Sequence, residues 1–245
     1  MPKTLGGDVV PGVRAVRELL VGGTRSVRKV LLDRERSDSA ELLDVARDRG
    51  VRVELVDGHR IDREARIETH QGVVAIAAPI RDVPLEDLCA PKDAFLVALD
   101  GVTDPRNLGA VLRTAEVFGA TGAVLARHRG ALLGPAAVKA AAGAIEHLPI
   151  AFVSGVPSAI EQAGRVGVWA VGLDAAGTTP IRELPVADAP VMLVLGAEGR
   201  GLSRLARDRC DVLASIPMHG HIESLNVAAA AAVACFEIAA RRNAQ

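Results

Sequence analysis

The chain has 245 residues, enough for one large domain or for a small domain joined to a medium one. Apolar residues make up 49%, ample for a core, but with four Phe, one Trp and no Tyr the composition argues against a single-strand binder that works by aromatic stacking. The net charge is −1, split as 15 basic to 16 acidic residues in 1–90 and 14 to 14 in 91–245, which argues against indiscriminate binding to nucleic acid.

Local basic patches remain available at Arg25/Arg28/Lys29, Arg34/Arg36 and Arg127/Arg129. No apolar run is long enough to cross a bilayer, and the opening MPKTLGGDVV lacks the apolar centre of a signal peptide. Cys89, Cys210 and Cys235 are odd in number and far apart, so neither a disulfide framework nor a zinc site is indicated. A soluble cytoplasmic protein is the expectation.

In chain order, residues 12–20 place Val13, Val16, Leu19 and Leu20 on one helical face. VRKVLLD (27–33) suits a strand, SDSAELLDVARDRG (37–50) a helix with a Ser/Asp start and a Gly50 stop, and VRVELV and GVVAIAA two further strands. Residues 79–93 carry three prolines and several charges without a strong apolar period and read as a linker. The expected division is 1–78, a linker at 79–93, and 94–245.

From Phe95 the pattern restarts. Strands are expected at 95–100, 122–126, near 149–153, at 166–173, 191–196 and 212–217, with helices at 107–119, 135–142, 157–164, 202–208 and 224–241. Such alternation predicts an α/β fold, a parallel sheet covered by helices on both faces. Ligands in these sheets collect at the carboxyl ends of strands, where the polar segments 100–113, 196–202 and 217–226 would lie.

Each segment has a plain reading and a chemical one. Asp104-Pro105 can start a helix, and Arg106 and Arg113 fall two turns apart on roughly one side, the plain reading being solvated surface. Asn107, near that helix start, is either a cap or a ligand contact. GAEGRGL (196–202) is not the dinucleotide fingerprint and lacks the lysine of a Walker loop, so it is either a tight turn or a backbone cradle. Glu198 in its middle argues for a cationic or hydrogen-bond-donating neighbour. Ser224 and Asn226 open a helix whose small residues 227–235 suit a tight core or a subunit interface. His219 and His221 lack a third ligand, and no metal is expected.

Taken together and in this order, NLGAVLRTAEVFGA, VLGAEGRGL and IPMHGHIESLNVAAAAAVACFE resemble the three motifs of the SpoU family of SPOUT RNA methyltransferases. The N-terminal part, including HQGVVA (70–75), resembles the ribosomal-protein-like RNA-recognition domain found in the branch that methylates guanosine ribose in 23S ribosomal RNA. The resemblance implies a catalytic domain with a C-terminal deep trefoil knot, preceded by a small α/β RNA-recognition domain. It implies S-adenosylmethionine as cofactor, resting on the backbone of Gly196, Ile216 and Leu225. It further implies a homodimer in which Arg113 acts across the subunits on the ribose 2′-hydroxyl with help from an RNA phosphate.

A guanidinium is a poor base, so Arg113 is expected to orient phosphate and hydroxyl, the identity of the base staying open. Asn107, Ser224 and Asn226 are expected to hold substrate or cofactor edges, and Glu198 either faces the cofactor's positive sulfur or ties its loop to Arg113 or Asn107. Alanines at 138–149 and the run NVAAAAAVA depart from relatives that carry serines there, which bears on substrate choice. Other readings are a tRNA or antibiotic-resistance ribosomal RNA 2′-O-methyltransferase, a non-catalytic RNA-binding assembly factor, and a nucleotide-binding oxidoreductase. The last lacks a glycine fingerprint after the first strand.

Overall fold

The computed structural model describes residues 5–22, 24–36, 40–128, 130–221 and 224–242. Its architecture follows from strands that are apolar on both faces. In β2 (Val27–Asp33) and β4 (Val73–Ala77), Val30, Leu32, Val73 and Ala75 point to one core and Leu31, Val74 and Ile76 to another. Together with β1 (Val9–Pro11) and β3 (Val53–Val56) they form a mixed sheet of order β1-β4-β2-β3, in which only β2 and β3 run parallel. Helices α1 (Val13–Gly22) and α2 (Ala40–Asp48) pack on the first face. Helix α3 (Gly58–Ala65) covers the second with Ile61 and Ala65.

The C-terminal sheet uses the same device. Its central strands are β5 (Phe95–Asp100) and β10 (Val191–Gly196), flanked by β6 (Gly122–Ala126), β7 (Ile150–Val153), β8 (Trp169–Leu173), β9 (Thr179–Pro180) and β11 (Val212–Ser215). The order is β7-β6-β5-β10-β8-β11-β9, and every pairing is parallel. Phe95, Val97, Leu99, Leu193 and Leu195 face helices α5 (Pro105–Val117), α6 (Pro135–Ala141) and α9 (Val227–Arg242). Leu96, Ala98, Met192 and Val194 face α4 (Leu85–Cys89), α7 (Val156–Arg165) and α8 (Arg204–Arg209). The expected parallel sheet with helices on both faces is therefore present. No helix among the described residues is long and apolar enough to cross a membrane.

One apolar core runs without a break from Val10, Val16 and Leu20 of the N-terminal sheet and helix into Leu112, Val138 and Ile145 of the C-terminal part. Gly109 explains the alanines of α6. A Cβ at Gly109 would stand 2.2 Å from the Ala137 carbonyl and 2.6 Å from the Ala140 Cβ, so only small residues let α5 and α6 meet.

The structure departs from the sequence reading in several places. Residues 79–93 are folded: Ile80, Leu85, Leu88 and Cys89 are buried, and Val83 donates to the Ile150 carbonyl at 2.9 Å. Helix α3 and strands β1 and β9 were not expected. The first is polar apart from Ile61 and Ala65, and the strands are three and two residues long. The Ser/Asp start at 37–39 lies outside the described residues, as does Arg129, and the visible helix α2 stops before Gly50, whose φ is +64°.

Arg25 is not part of a surface patch. Its guanidinium is buried against the buried Glu146 at 2.5 Å, and also donates to the Gly7 and Ala78 carbonyls at 2.7 and 2.5 Å. Arg127 is likewise paired with Asp82.

Candidate functional site

The parallel register sets Gly196 beside Asp100, so the loops leaving β10 and β5 start side by side. Beyond Gly196 the chain folds back on itself: Ala197 and Gly201 exchange backbone hydrogen bonds at 3.0 and 2.8 Å. A Cβ at Gly196 would lie 2.1 Å from the Gly201 carbonyl carbon, and Gly199 and Gly201 have φ of +74° and +66°, so this loop requires its glycines for backbone reasons. Asp100 holds the exit of the loop by accepting from the Ser203 amide at 2.7 Å, and Ser203 caps α8.

Three side chains distant in sequence meet across these loops. Asn107 is in the first turn of α5, behind the Asp104 cap and Pro105. Its Nδ2 donates to Glu198 Oε1. Asn226 Nδ2 donates to the same Glu198 oxygen at 3.0 Å and to Asn107 Oδ1 at 3.1 Å. The Asn226 amide has its orientation fixed from the other side, since its Oδ1 accepts from the Ala228 and Ala229 amides at 2.8 and 3.4 Å as the cap of α9. Of the partners left open for Glu198, the structure gives it Asn107.

Between the loops lies a cavity of about 650 Å³. Gly196, Glu198, Ile216, Ser224, Leu225 and Asn226 all line it. Its walls are apolar at Leu173, Leu195 and Val227 and charged at Arg200 and at Asp174 and Arg207, the last two forming an ion pair. Asp174 is nearly buried and also accepts from the Ala176 amide at 2.9 Å. The sequence reading missed this pair, although Asp174 stands just past the carboxyl end of β8, where the strand-end rule directs attention. Asn107 does not line the cavity but buttresses Glu198 from behind.

Arg113 is not brought to this group within one chain. Six residues beyond Asn107, it lies about 9 Å further along α5 and on a different face. It lines a separate cavity of about 430 Å³ at the junction with the N-terminal part. His219 and His221 are exposed in the loop before α9, and Met218 lines the 650 Å³ cavity.

The arrangement provides a mid-sized cavity with apolar walls, a carboxylate held by two amides, and backbone from two glycine-bearing loops. The chain is also similar to known proteins. Residues 94–236 match the SpoU rRNA Methylase family, and residues 9–83 match a domain described as RNA 2′-O ribose methyltransferase substrate binding. A Bacillus subtilis protein named as a TrmH family tRNA/rRNA methyltransferase, YacO, is 35% identical over 204 residues, covering 81% of each chain. An uncharacterized tRNA/rRNA methyltransferase of Mycolicibacterium vanbaalenii is 39% identical over 203 residues, 81% of this chain and 64% of that protein, so the chain spans just under two thirds of that relative. The crystal structure of the SpoU methyltransferase AviRb from Streptomyces viridochromogenes, in complex with AdoMet, superposes with a TM-score of 0.79 at 29% identity, covering 97% of this chain and 91% of that one. The chain belongs to the SpoU methylase family.

Proposed function

We propose that this chain transfers a methyl group from S-adenosylmethionine to a ribose 2′-hydroxyl of RNA, its target being a guanosine of 23S ribosomal RNA. The observation that carries this reading is that Glu198 and Asn226, tied to Asn107 behind them, line one cavity with Gly196, Ile216 and Leu225. The cavity volume of about 650 Å³ is within the range of small-molecule sites. Its donor set suits a nucleoside carrying an amino-acid tail: apolar side chains for a base, backbone groups for polar edges, and Glu198 for positive charge. A polyphosphate would meet that carboxylate unfavourably.

When bound, the cofactor supplies an electrophilic methyl on a sulfonium, so the acceptor needs positioning and removal of one proton. Asn107 and Asn226 hold the Glu198 carboxylate in one orientation, and Ser224 offers a hydroxyl at the cavity wall. Arg113 orients the acceptor's phosphate and stabilises developing charge on the hydroxyl oxygen. Because Arg113 is remote from Glu198 within one chain, it serves the partner's cavity in a homodimer. The surface of α9 supports that assembly: Val233 and Phe236 are exposed on one stripe, and Val117 of α5 is exposed beside the Phe118 that meets Phe236 edge-on at 5.9 Å. A trefoil knot in the C-terminal part of the catalytic domain fits the insertion of β10 between β5 and β8 and the return of α9 onto α5.

The 9–83 match supports residues 1–78 as the RNA-recognition module. The reading is tested by calorimetry with S-adenosylmethionine and with a dinucleotide, of which only the first should bind. The Arg113→Ala chain should bind it with near-parent affinity yet fail to methylate RNA. Methyl transfer by that variant at the parent rate would remove Arg113 from the chemistry.

A further inference from the structure

The cavity that holds Arg113 is built from both modules. Arg14 from the start of α1 and Arg36 and Gln71 from the N-terminal module face Arg113 of α5 and Lys139 of α6. Four of these five side chains are cationic and no carboxylate lines the cavity. Among the described residues, neither Arg14, Arg113 nor Lys139 forms an ion pair or side-chain hydrogen bond, while Arg36 donates to the Gln71 carbonyl. Arg14, Arg113 and Lys139, the three that form no ion pair among the described residues, repel one another unless an anion joins them. Partial burial already pushes the Lys139 ammonium below its ordinary pKa.

Gln71 is a second sign that the cavity is constructed. It has a φ of +58°, a conformation uncommon outside glycine. Its neighbours hold it there: the Gly72 amide donates to His70 Nδ1 at 3.0 Å, which leaves Nε2 to donate to Asp62 Oδ1 at 2.7 Å. Gln71 thereby lines the same cavity as Arg113 and Lys139 of the other module. Gly12 stands between them, so close that a Cβ there would lie 3.2 Å from Gln71 Oε1 and 3.6 Å from the Lys139 side chain. The first turn of α1 adds the positive end of a ten-residue helix.

We propose that this junction cavity binds a phosphodiester of the substrate RNA, with Arg14, Gln71 and Lys139 as its contacts, so that one chain's recognition module and its Arg113 grip the same stretch of backbone. The proposal rests on the RNA-methylation reading and adds to it the residues that join recognition to the reacting strand. Backbone rather than base is the fit, because no aromatic or long apolar side chain lines the cavity to stack on a base.

The test uses the full chain and unmodified 23S ribosomal RNA transcribed in vitro, with binding measured across a series of salt concentrations. Arg14→Gln and Lys139→Gln should each weaken binding severalfold and flatten the slope of log affinity against log salt by about 0.7–0.9, the effect of one lost phosphate contact. Gln71→Ala should weaken binding without changing the slope. S-adenosylmethionine affinity and thermal unfolding should stay at parent values, and Lys139→Arg should restore the slope. Parent-like slopes in both charge variants, with RNA still bound, would overturn the cavity assignment alone. Absence of RNA binding by the parent would overturn both the assignment and the function it rests on. Inorganic phosphate is the control anion: protection of the cavity by phosphate, with RNA binding unaltered in every variant, would mark a free-phosphate site and also overturn the proposal.

Discussion

Asn226 donates to Asn107 at 3.1 Å across 119 residues of chain, and the opposite end of its amide caps α9. One side chain thus fixes a helix start and, through Glu198, the wall of the candidate cofactor cavity. The two duties separate by substitution. Asn226→Asp retains the capping oxygen but sets a second carboxylate beside Glu198, so thermal stability should stay near parent while kcat/KM falls at least tenfold. Asn226→Ala removes the cap as well and should cost about 1 kcal/mol further in unfolding free energy. Calorimetric melting and steady-state methyl transfer on both variants make the comparison, and parent-level activity in both would detach the amide from the chemistry.

The glycines of 196–202 differ in what they tolerate. A Cβ at Gly199 meets nothing within 4 Å, so Gly199→Ala carries only the strain of φ +74°, about 1 kcal/mol. A Cβ at Gly196 runs into the Gly201–Leu202 backbone at 2.1–2.2 Å, so Gly196→Ala must open the loop. Methyl-donor affinity should fall more than tenfold for Gly196→Ala and less than threefold for Gly199→Ala. The reverse ranking in a calorimetric titration would show that the loop closure is unimportant for the cavity.

Arg25 and Glu146 join the two modules as a buried pair, with side-chain exposures of 6% and 1%. Removal of one partner leaves the other charge uncompensated, so Glu146→Ala should lose about 3–5 kcal/mol in a denaturant titration. Arg25→Met/Glu146→Leu, with neither charge left behind, should recover much of that loss. A double variant as unstable as the single one would mean that packing, not charge, dominates there.

How far this arrangement could be read beforehand depended on the kind of interaction. Strands such as Phe95–Asp100 and Val191–Gly196 were legible because both of their faces are buried, leaving apolar runs between polar turns. Helix α3 was not, since Ile61 and Ala65 alone carry its packing and the remaining residues are polar or glycine. Helix α4 was hidden by the prolines around it. The link from Asn107 to Glu198 and Asn226 has no spacing rule behind it; resemblance groups those residues, and their atoms pair only in the folded chain. Arg25 reads as surface from the sequence because a partner 121 residues away leaves no local trace. The resemblance assigns Arg113 to the reaction, and its separation from Asn107 along α5 follows from helix geometry that periodicity supplies.

Alkaline conditions should weaken the fold through its thiols. Burial pushes Cys235 from an ordinary 9.0 up to about 12, and burial, with Asp211 and Asp100 nearby, does the same to Cys210. The unfolded chain releases these protons from about pH 9, so folded stability is fully present below that pH and declines as pH rises toward 12. Cys235→Ala should flatten the decline in unfolding free energy measured between pH 9 and 10.5. An unchanged slope would place the alkaline loss elsewhere.

The most direct measurement of the central claim is transfer of a labelled methyl group from S-adenosylmethionine to unmodified 23S ribosomal RNA, followed by alkaline hydrolysis and mass spectrometry of the fragments. A ribose 2′-O-methyl group blocks alkaline cleavage at its own phosphodiester, so the label should appear in an alkali-resistant dinucleotide whose 5′ nucleoside is guanosine. It should be absent with Arg113→Ala and strongly reduced with Asn226→Asp. Label recovered only on bases in mononucleotides, or no transfer to RNA by the parent chain, would contradict the account.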